Sequence, residues 1–503
     1  SNEAVGLHRS FVGAKDERVL RLRPFLQGGR WLIVASPAGA SAAVVDLTET
    51  KDPVYLYGLS DMYDAQLVGL TADGRRLVQL NTDGLFHLYE VATGERILSG
   101  RYVDDEIVLF TKEGYFWSSY EGAHYVHIGF AGRNELLSLE QFKSVLSRPD
   151  LLRSITSGSN ATVPVPSIPI PPRLEFSISD ASADRLTVSI AASAVGSLRE
   201  VVIYADGRKI KTLTLSGPES QANITLDRPP HARVITAVAI DDKALTSPPV
   251  AAKVERFAGG SNALHLLSIG INAYDHVNAL QFAKLDAETI VTAAEGSRGQ
   301  YYAAVDATLL SDHDASPDRI LEEIAAKVAV ARPSDTIMLF FAGHGTRQDG
   351  QFYLATSQTR VDELEGTSLP WSRVADALAR SQARVIVIID ACHAGQSGAQ
   401  IEATNDDAVK ALASANQTQM LVLAASKGRQ TSLEMADRGG GVFTQTLASI
   451  VSSERGQHDL DGNGVIEASE LYRGLKTRVG EITSNKQTPW LVRLNMIGDF
   501  PVF

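Results

Sequence analysis

The chain has 503 residues and a single cysteine, Cys392, near the end of an apolar run, ARVIVIIDACHAG (Ala383–Gly395). About 50 residues earlier His344 has the same setting. It lies between Gly343 and Gly345 at the end of DTIMLFFAGHG (Asp335–Gly345). A thiolate nucleophile needs a base within hydrogen-bond reach, and an imidazole titrates in the right range. Cys392 therefore reads as nucleophile and His344 as its proton acceptor and later donor. Taken singly, each residue has a bland use: a free cysteine is usually a small buried hydrophobe, and a lone histidine a satisfied structural group. The shared setting is what raises the pair. His393 is not the base expected here, because neighbours on an extended chain point to opposite sides. Asp390, two residues before Cys392, shares its face.

A second constellation is DLDGNGVIEASE, Asp459–Glu470. It matches the calcium-loop pattern D-x-[DN]-x-[DN]-G-x5-E. Asp459, Asp461 and Asn463 would supply oxygens at positions one, three and five. Val465 would give its carbonyl, Glu467 would act directly or through water, and Glu470 would be bidentate, with Gly464 at the sharp turn. The competing use is an Asp/Gly-rich turn with Glu467 and Glu470 at a helix N-terminus.

Pattern along the chain predicts the strands and helices around these residues. Continuous apolar runs suit strands buried on both faces of a parallel sheet. Ligands and chemistry sit outside the carboxyl ends of such strands, so Cys392 and His344 are expected at one sheet edge. From Leu264 onward strand-like and helical runs alternate: Leu264–Ile271, Phe282–Ala294, Ala304–Leu310, Asp318–Ala331, Thr336–Phe341, Trp371–Ala379, Arg384–Ile389, Met420–Ala425 and Phe443–Val451. That order predicts an α/β domain with a mostly parallel sheet over residues 262–503.

Before it the chain is β-rich. Residues 173–256 hold short alternating runs with Asp206-Gly207 as a hairpin turn, which predicts an antiparallel β-sandwich resembling an immunoglobulin or fibronectin module. Residues 157–172 carry five prolines and no charge and read as an extended linker. Residues 1–156 read as short strands closed by a helical stretch over 133–155. The unit TADGRRLVQLNTDGLFHLYEVATGERI (71–97) resembles a WD-type propeller repeat, with Tyr89 where Trp is usual. Blades of ~40–45 residues give about three in this span, too few to close a propeller, so a propeller fragment is expected, with a generic antiparallel sheet as the alternative.

FAGHG followed by IIDACHAG resembles the catalytic pair of the caspase–metacaspase cysteine peptidases of clan CD, closer to metacaspases and bacterial caspase-like proteins than to animal caspases. The resemblance spans roughly residues 262–503. LHLLSIGINAY, LQFAKLDAETI, QMLVLAASKG and GVFTQTLASIV fall in the family's order. It implies an oxyanion hole from the backbone N–H groups of Cys392 and Gly345. It also implies that Asp390 and Asp286 bind a basic side chain before the scissile bond, so cleavage is expected after Arg or Lys. Ala342 stands where many metacaspases have Ser. In the family the segment after the cysteine strand is often processed; within His393–Gln419 the one Arg/Lys candidate for self-cleavage is Lys410.

The net charge of −12 argues against nucleic acid or an anionic membrane as partner. One cysteine precludes an intramolecular disulfide, which fits a bacterial cytoplasm without excluding a periplasm. No run approaches the ~20 apolar residues of a membrane helix. The chain opens Ser-Asn without Met, which reads as a cleaved-tag scar, so a leader or a further domain could precede it. The expected function is a cysteine endopeptidase that needs no cofactor for its chemistry, with calcium as a candidate ligand. The β domains would serve as a recognition or regulatory platform for a partner protein. The alternative is a catalytically silent caspase-fold scaffold acting through protein–protein contacts.

Overall fold

The computed structural model describes residues 23–27, 30–36, 41–48, 52–57, 59, 65–103, 106–119, 122–130, 136–157, 164–182, 184–229, 232–254, 262–349, 351–391, 419–426, 432–435, 439–494 and 496–503. The chain divides into two compact units. One comprises residues 1–171 with 243–246, the other residues 172–242 with 247–503.

The first unit is built of consecutive antiparallel strands. Four strands between Arg23 and Tyr57 form one meander, and six between Ala65 and Ser118 form another. Arg76–Asn81 and Leu85–Glu90 pair across the turn at Asp83-Gly84, where Gly84 has φ 82°. That left-handed conformation favours glycine. Among the described residues there are thus two meanders and a two-stranded ribbon (Leu136–Ser138 with His127–Gly129), not three four-stranded blades. The helical stretch expected over 133–155 is also broken. Among its described residues Leu136–Ser138 is a strand, and a 3₁₀ turn (Leu139–Phe142) leads into the helices Lys143–Leu146 and Pro149–Thr156. Pro149 is the cause of the break, since the residue before a proline is pushed out of the α region.

In the second unit residues 173–253 form two antiparallel sheets, of three and four strands, around one apolar core that includes Leu186, Val188, Val201, Ile203, Ile235 and Ala237. The hairpin Leu198–Ala205 to Arg208–Thr214 turns on Asp206 (φ 44°) and Gly207 (φ 78°). Two positive φ values in a two-residue loop match the twist of the flanking strands.

The rest of this unit is a six-stranded sheet flanked by helices. Its strands are β1 (Ala263–Gly270), β2 (Ala304–Ser311), β3 (Thr336–Ala342), β4 (Arg384–Asp390), β5 (Met420–Ala424) and β6 (Trp490–Leu494). Their order is β2-β1-β3-β4-β5-β6, with β1–β5 parallel and β6 antiparallel to β5. Every residue of β3 and β4 is buried, because helices cover both faces. The helices are α1 (Ala283–Gly296), α2 (Pro317–Val330), α3 (Trp371–Leu378), α4 (Val442–Val451) and α5 (Ala468–Thr483). Ser316 caps α2 by accepting the Arg319 N–H, with Pro317 at the first helical position. Among the described residues no helix is long and apolar enough to cross a membrane.

Candidate functional site

The register of the sheet brings three strand ends to one place. Ala342 of β3 lies beside Gly270 of β1 on one side and Asp390 of β4 on the other. Gly343 N–H donates to the Asp390 carbonyl at 3.2 Å, so the loop that carries His344 is tied to the end of β4. Glycine is needed at 343, where a Cβ would come within 2.9 Å of the Phe341 ring and the Tyr274 hydroxyl.

His344 is held on several sides and is only 7 % exposed. Its N–H donates to the Tyr274 hydroxyl oxygen at 2.9 Å, and its carbonyl accepts from Ala355 N–H at 2.9 Å. The Tyr274 and His344 rings lie 4.8 Å apart, centroid to centroid. Burial pushes the Tyr274 phenol upward, so it stays neutral. Nε2 of His344 is 2.8 Å from the Asn278 carbonyl oxygen. A carbonyl can only accept, so this contact assigns the proton to Nε2 and makes Nδ1 the basic nitrogen. The sequence reading missed Tyr274 and Asn278. Asn278 contributes a main-chain oxygen, for which no residue type is diagnostic.

Gly345 starts a short hairpin, Gly345–Gln348 with Gln351–Leu354. A Cβ at Gly345 would sit 2.8 Å from the Phe352 ring and 3.5 Å from Cβ of Ala391. Any side chain at this position would crowd the Phe352 ring. Because Ala355 N–H bonds the His344 carbonyl, Gly345 and Leu354 form the non-hydrogen-bonded pair. The Gly345 N–H therefore points away from the ladder. Ala391, packed near Gly345, directly precedes Cys392 in the chain. Cys392, His393 and Lys410 lie outside the described residues.

Asp286, in the first turn of α1, and Asp390, at the end of β4, are both 0 % exposed. They converge on one stretch of backbone. Gly441 N–H donates to Asp286 Oδ1 at 2.9 Å. A Cβ at Gly441 would stand 3.0 Å from Asp286 Oδ2 and 3.3 Å from Asp390 Oδ2. At Gly440 a Cβ would meet Gln445 Nε2 at 2.4 Å and Asp286 Oδ1 at 3.0 Å. The consecutive glycines Gly439–Gly441 before α4 were a visible signal for this close approach, and the sequence reading did not use them.

In the acidic loop Asp459, Asp461 and Glu470 bring one carboxylate oxygen each within 4.8 Å of one another. Asp459 accepts the N–H groups of Asn463 and Gly464, and Asp461 also accepts Asn463 N–H. Glu470 accepts the N–H groups of Leu460 and Glu467. Glu467 instead takes the Asn463 side-chain amide, and burial beside Glu470 pushes its carboxyl up to about 8. The sandwich reaches this loop: Lys253 Nζ is 3.3 Å from Asp461, and Arg233 donates to Asn463 Oδ1 at 3.3 Å. All-oxygen donors of this kind suit a hard cation such as Ca²⁺, with Asp459, Asp461 and Glu470 as the residues able to hold it.

Residues 265–501 match the family model of the caspase domain, just under half of the chain. Among solved structures, a Geobacter sulfurreducens protein, GSU0716, shares 18 % identity over 46 % of this chain and 92 % of its own, with a TM-score of 0.33. The Drosophila initiator caspase Dronc shares 10 % over 48 % of this chain and 82 % of its own, with a TM-score of 0.32. The β-propeller domain of Myceliophteria thermophila Cps50 (Swd1) shares 12 % over 50 % and 76 %, with a TM-score of 0.16. The comparison with curated proteins found no match.

Proposed function

We propose that the caspase-like domain at 265–501 is a cysteine endopeptidase that cleaves after Arg or Lys. The observation that carries this reading is the meeting, at one sheet edge, of His344 with its proton on Nε2 and two buried carboxylates, Asp286 and Asp390.

In the proposed reaction the Cys392 thiol gives its proton to Nδ1 of His344, and the thiolate attacks the scissile carbonyl. The Gly345 N–H, turned away from its ladder, and the Cys392 N–H receive the developing oxyanion. His344 returns the proton to the leaving amine, and water then hydrolyses the thioester. The Asn278 carbonyl stabilises the imidazolium through Nε2 while the charge exists. Asp286 and Asp390 select the residue before the scissile bond, because two carboxylates at one point favour a guanidinium or an ammonium. Self-cleavage after Lys410 belongs to the same proposal. Calcium, held by Asp459, Asp461 and Glu470, would neutralise the acidic loop and take no part in bond breaking. The sandwich, as an immunoglobulin- or fibronectin-like module, and the meanders of the first unit, as WD-type blades, act as a recognition or regulatory platform.

The test is a cleavage profile on a peptide library, with and without calcium, for the wild type and Cys392→Ala. Cleavage confined to bonds after Arg and Lys, and lost in Cys392→Ala, is expected. Cleavage after Asp, or activity retained in Cys392→Ala, would refute the reading.

A further inference from the structure

Two of the groups that hold His344, the Tyr274 hydroxyl and the Asn278 carbonyl, come from one stretch of chain. It runs from residue 272, just past β1, to residue 282, just before α1, and has no regular structure. Such a stretch has no helix or sheet ladder to fix it, so its backbone groups must find other partners.

Two side chains do much of this. The register of the sheet puts Ser311, the last residue of β2, beside Gly270, the last residue of β1. Asp312 therefore emerges next to the start of the stretch. Its Oδ1 accepts the N–H groups of Asn272 at 2.8 Å and Ala273 at 2.9 Å. Asp312 lies in the left-handed region, with φ 49°, which Asp and Asn enter more readily than other residues with a side chain. Asn272 then closes the stretch on itself. Its carbonyl accepts Leu280 N–H at 2.9 Å, and its Nδ2 donates to the Gln281 carbonyl at 3.0 Å. Its Oδ1 accepts Lys284 N–H, in the first turn of α1, at 3.1 Å. Tyr274 feels the Asp312 charge: burial raises the phenol, and the nearby carboxylate adds to the rise.

We propose that Asp312 and Asn272 are positioning residues for the His344 base. By fixing residues 272–281 they hold the Asn278 carbonyl on Nε2 and keep the proton off Nδ1. They act through Tyr274 and Asn278. The consequence for catalysis rests on the peptidase reading, and the effect on the imidazole does not. A reacting group displaced by about 1 Å can cost on the order of 10²-fold in rate.

The experiment has two arms. In the first, two-bond ¹H–¹⁵N spectra of the full chain, labelled with ¹⁵N-histidine, read the His344 tautomer at about pH 8.5, where imidazole is neutral. The chain carries Cys392→Ala, so that no thiolate holds the imidazole charged, and His344→Gln assigns the signal. The Nε2–H tautomer is expected. Its ratio to Nδ1–H should fall at least threefold in Asp312→Gly and recover in Asp312→Asn. Glycine keeps the left-handed backbone without the acceptor, and asparagine keeps an acceptor oxygen. A change in stability alone would not move the tautomer. In the second arm, with Cys392 intact, kcat for an Arg-containing peptide should fall at least tenfold in Asp312→Gly, with KM within twofold, and recover in Asp312→Asn. Should Asp312→Gly fold poorly, Asn272→Ala must shift the tautomer in the same direction. The proposal is overturned by an Nδ1–H tautomer before Asp312 is changed, by an unmoved tautomer or unchanged kcat in the folded variant, or by Asp312→Asn as impaired as Asp312→Gly. If the tautomer moves as expected while the wild type cleaves no peptide, the positioning stands and the peptidase reading fails.

Discussion

His344 is defined by three contacts made by main chain or hydroxyl: Asn278 at Nε2, Tyr274 at its N–H and Ala355 at its carbonyl. If Nδ1 is the general base, His344→Ala removes an effect worth on the order of 10²–10⁴ in kcat. Tyr274→Phe tests the positioning. It leaves a part-buried N–H without its oxygen, at a cost of about 1–3 kcal/mol, and should lower both the melting temperature and kcat while KM holds. Steady-state kinetics on one Arg-containing peptide with circular dichroism melts checks both variants. Full activity in His344→Ala would remove the base from the account.

At the scale of elements, β3, β4, α1 and the turn before α4 carry the site, and each fails in its own way. Gly441→Ala places a methyl 3.0–3.3 Å from the Asp286 and Asp390 oxygens. Overpacking of that kind costs about 1–3 kcal/mol, and the pocket would narrow, so KM for Arg substrates should rise more than for substrates with a small neutral residue. Asp390→Ala and Asp286→Ala should remove the preference for Arg and Lys. Losing one partner of a buried ion pair costs about 3–5 kcal/mol, which is roughly 10²- to 10⁴-fold in kcat/KM. Competition assays between Arg and Gln peptides read this directly, and an unchanged preference contradicts the pocket.

At the other end of β3, burial alone would raise the Asp335 carboxyl, but hydrogen bonds from Arg332 and Ala263 N–H hold it below the usual range. A carboxylate depressed in the folded state stabilises it above the unfolded pKa of ~3.9, and the benefit is lost as pH falls through the folded value. Asp335→Asn should therefore flatten the fall in melting temperature below about pH 4. A wild-type slope in the variant contradicts that.

The strands β3 and β4 were legible because Thr336–Ala342 and Arg384–Asp390 are unbroken apolar runs between small or charged residues. Asp390 was placed by its two-residue offset from Cys392. Strand β6 was not legible: WLVRL is five residues long, carries an arginine and has no helix after it to mark a crossover. Nor were Tyr274, Asn278 and Gly441, whose parts are played by a hydroxyl and by backbone groups in irregular segments, where pattern carries no signal.

For the whole molecule, the compact unit of residues 172–242 and 247–503 ties the sandwich to the caspase-like domain through the acidic loop. Lys253 and Arg233 engage Asp461 and Asn463, two positions of the calcium-loop pattern. If the loop takes calcium, the ion competes with these contacts. Calcium should then raise the melting temperature by a few degrees, as binding to the native state alone does when free ligand exceeds Kd. Asp459→Ala with Glu470→Ala should abolish the shift, and Lys253→Ala should move it to lower calcium. A wild-type melting temperature unmoved by millimolar calcium would leave only a capped turn.

In the proposed function Cys392 is a nucleophile addressed by a basic side chain of the substrate. The most direct measurement is intact-mass and peptide mapping of the full chain after exposure to a thiol-directed covalent probe on an arginine-bearing peptide, beside the same probe on an aspartate-bearing peptide. One adduct, on Cys392, is expected with the arginine probe, slowed by on the order of 10²-fold or more in His344→Ala and with its advantage over the aspartate probe lost in Asp390→Ala. No adduct on Cys392, or equal labelling by the aspartate probe, would contradict it.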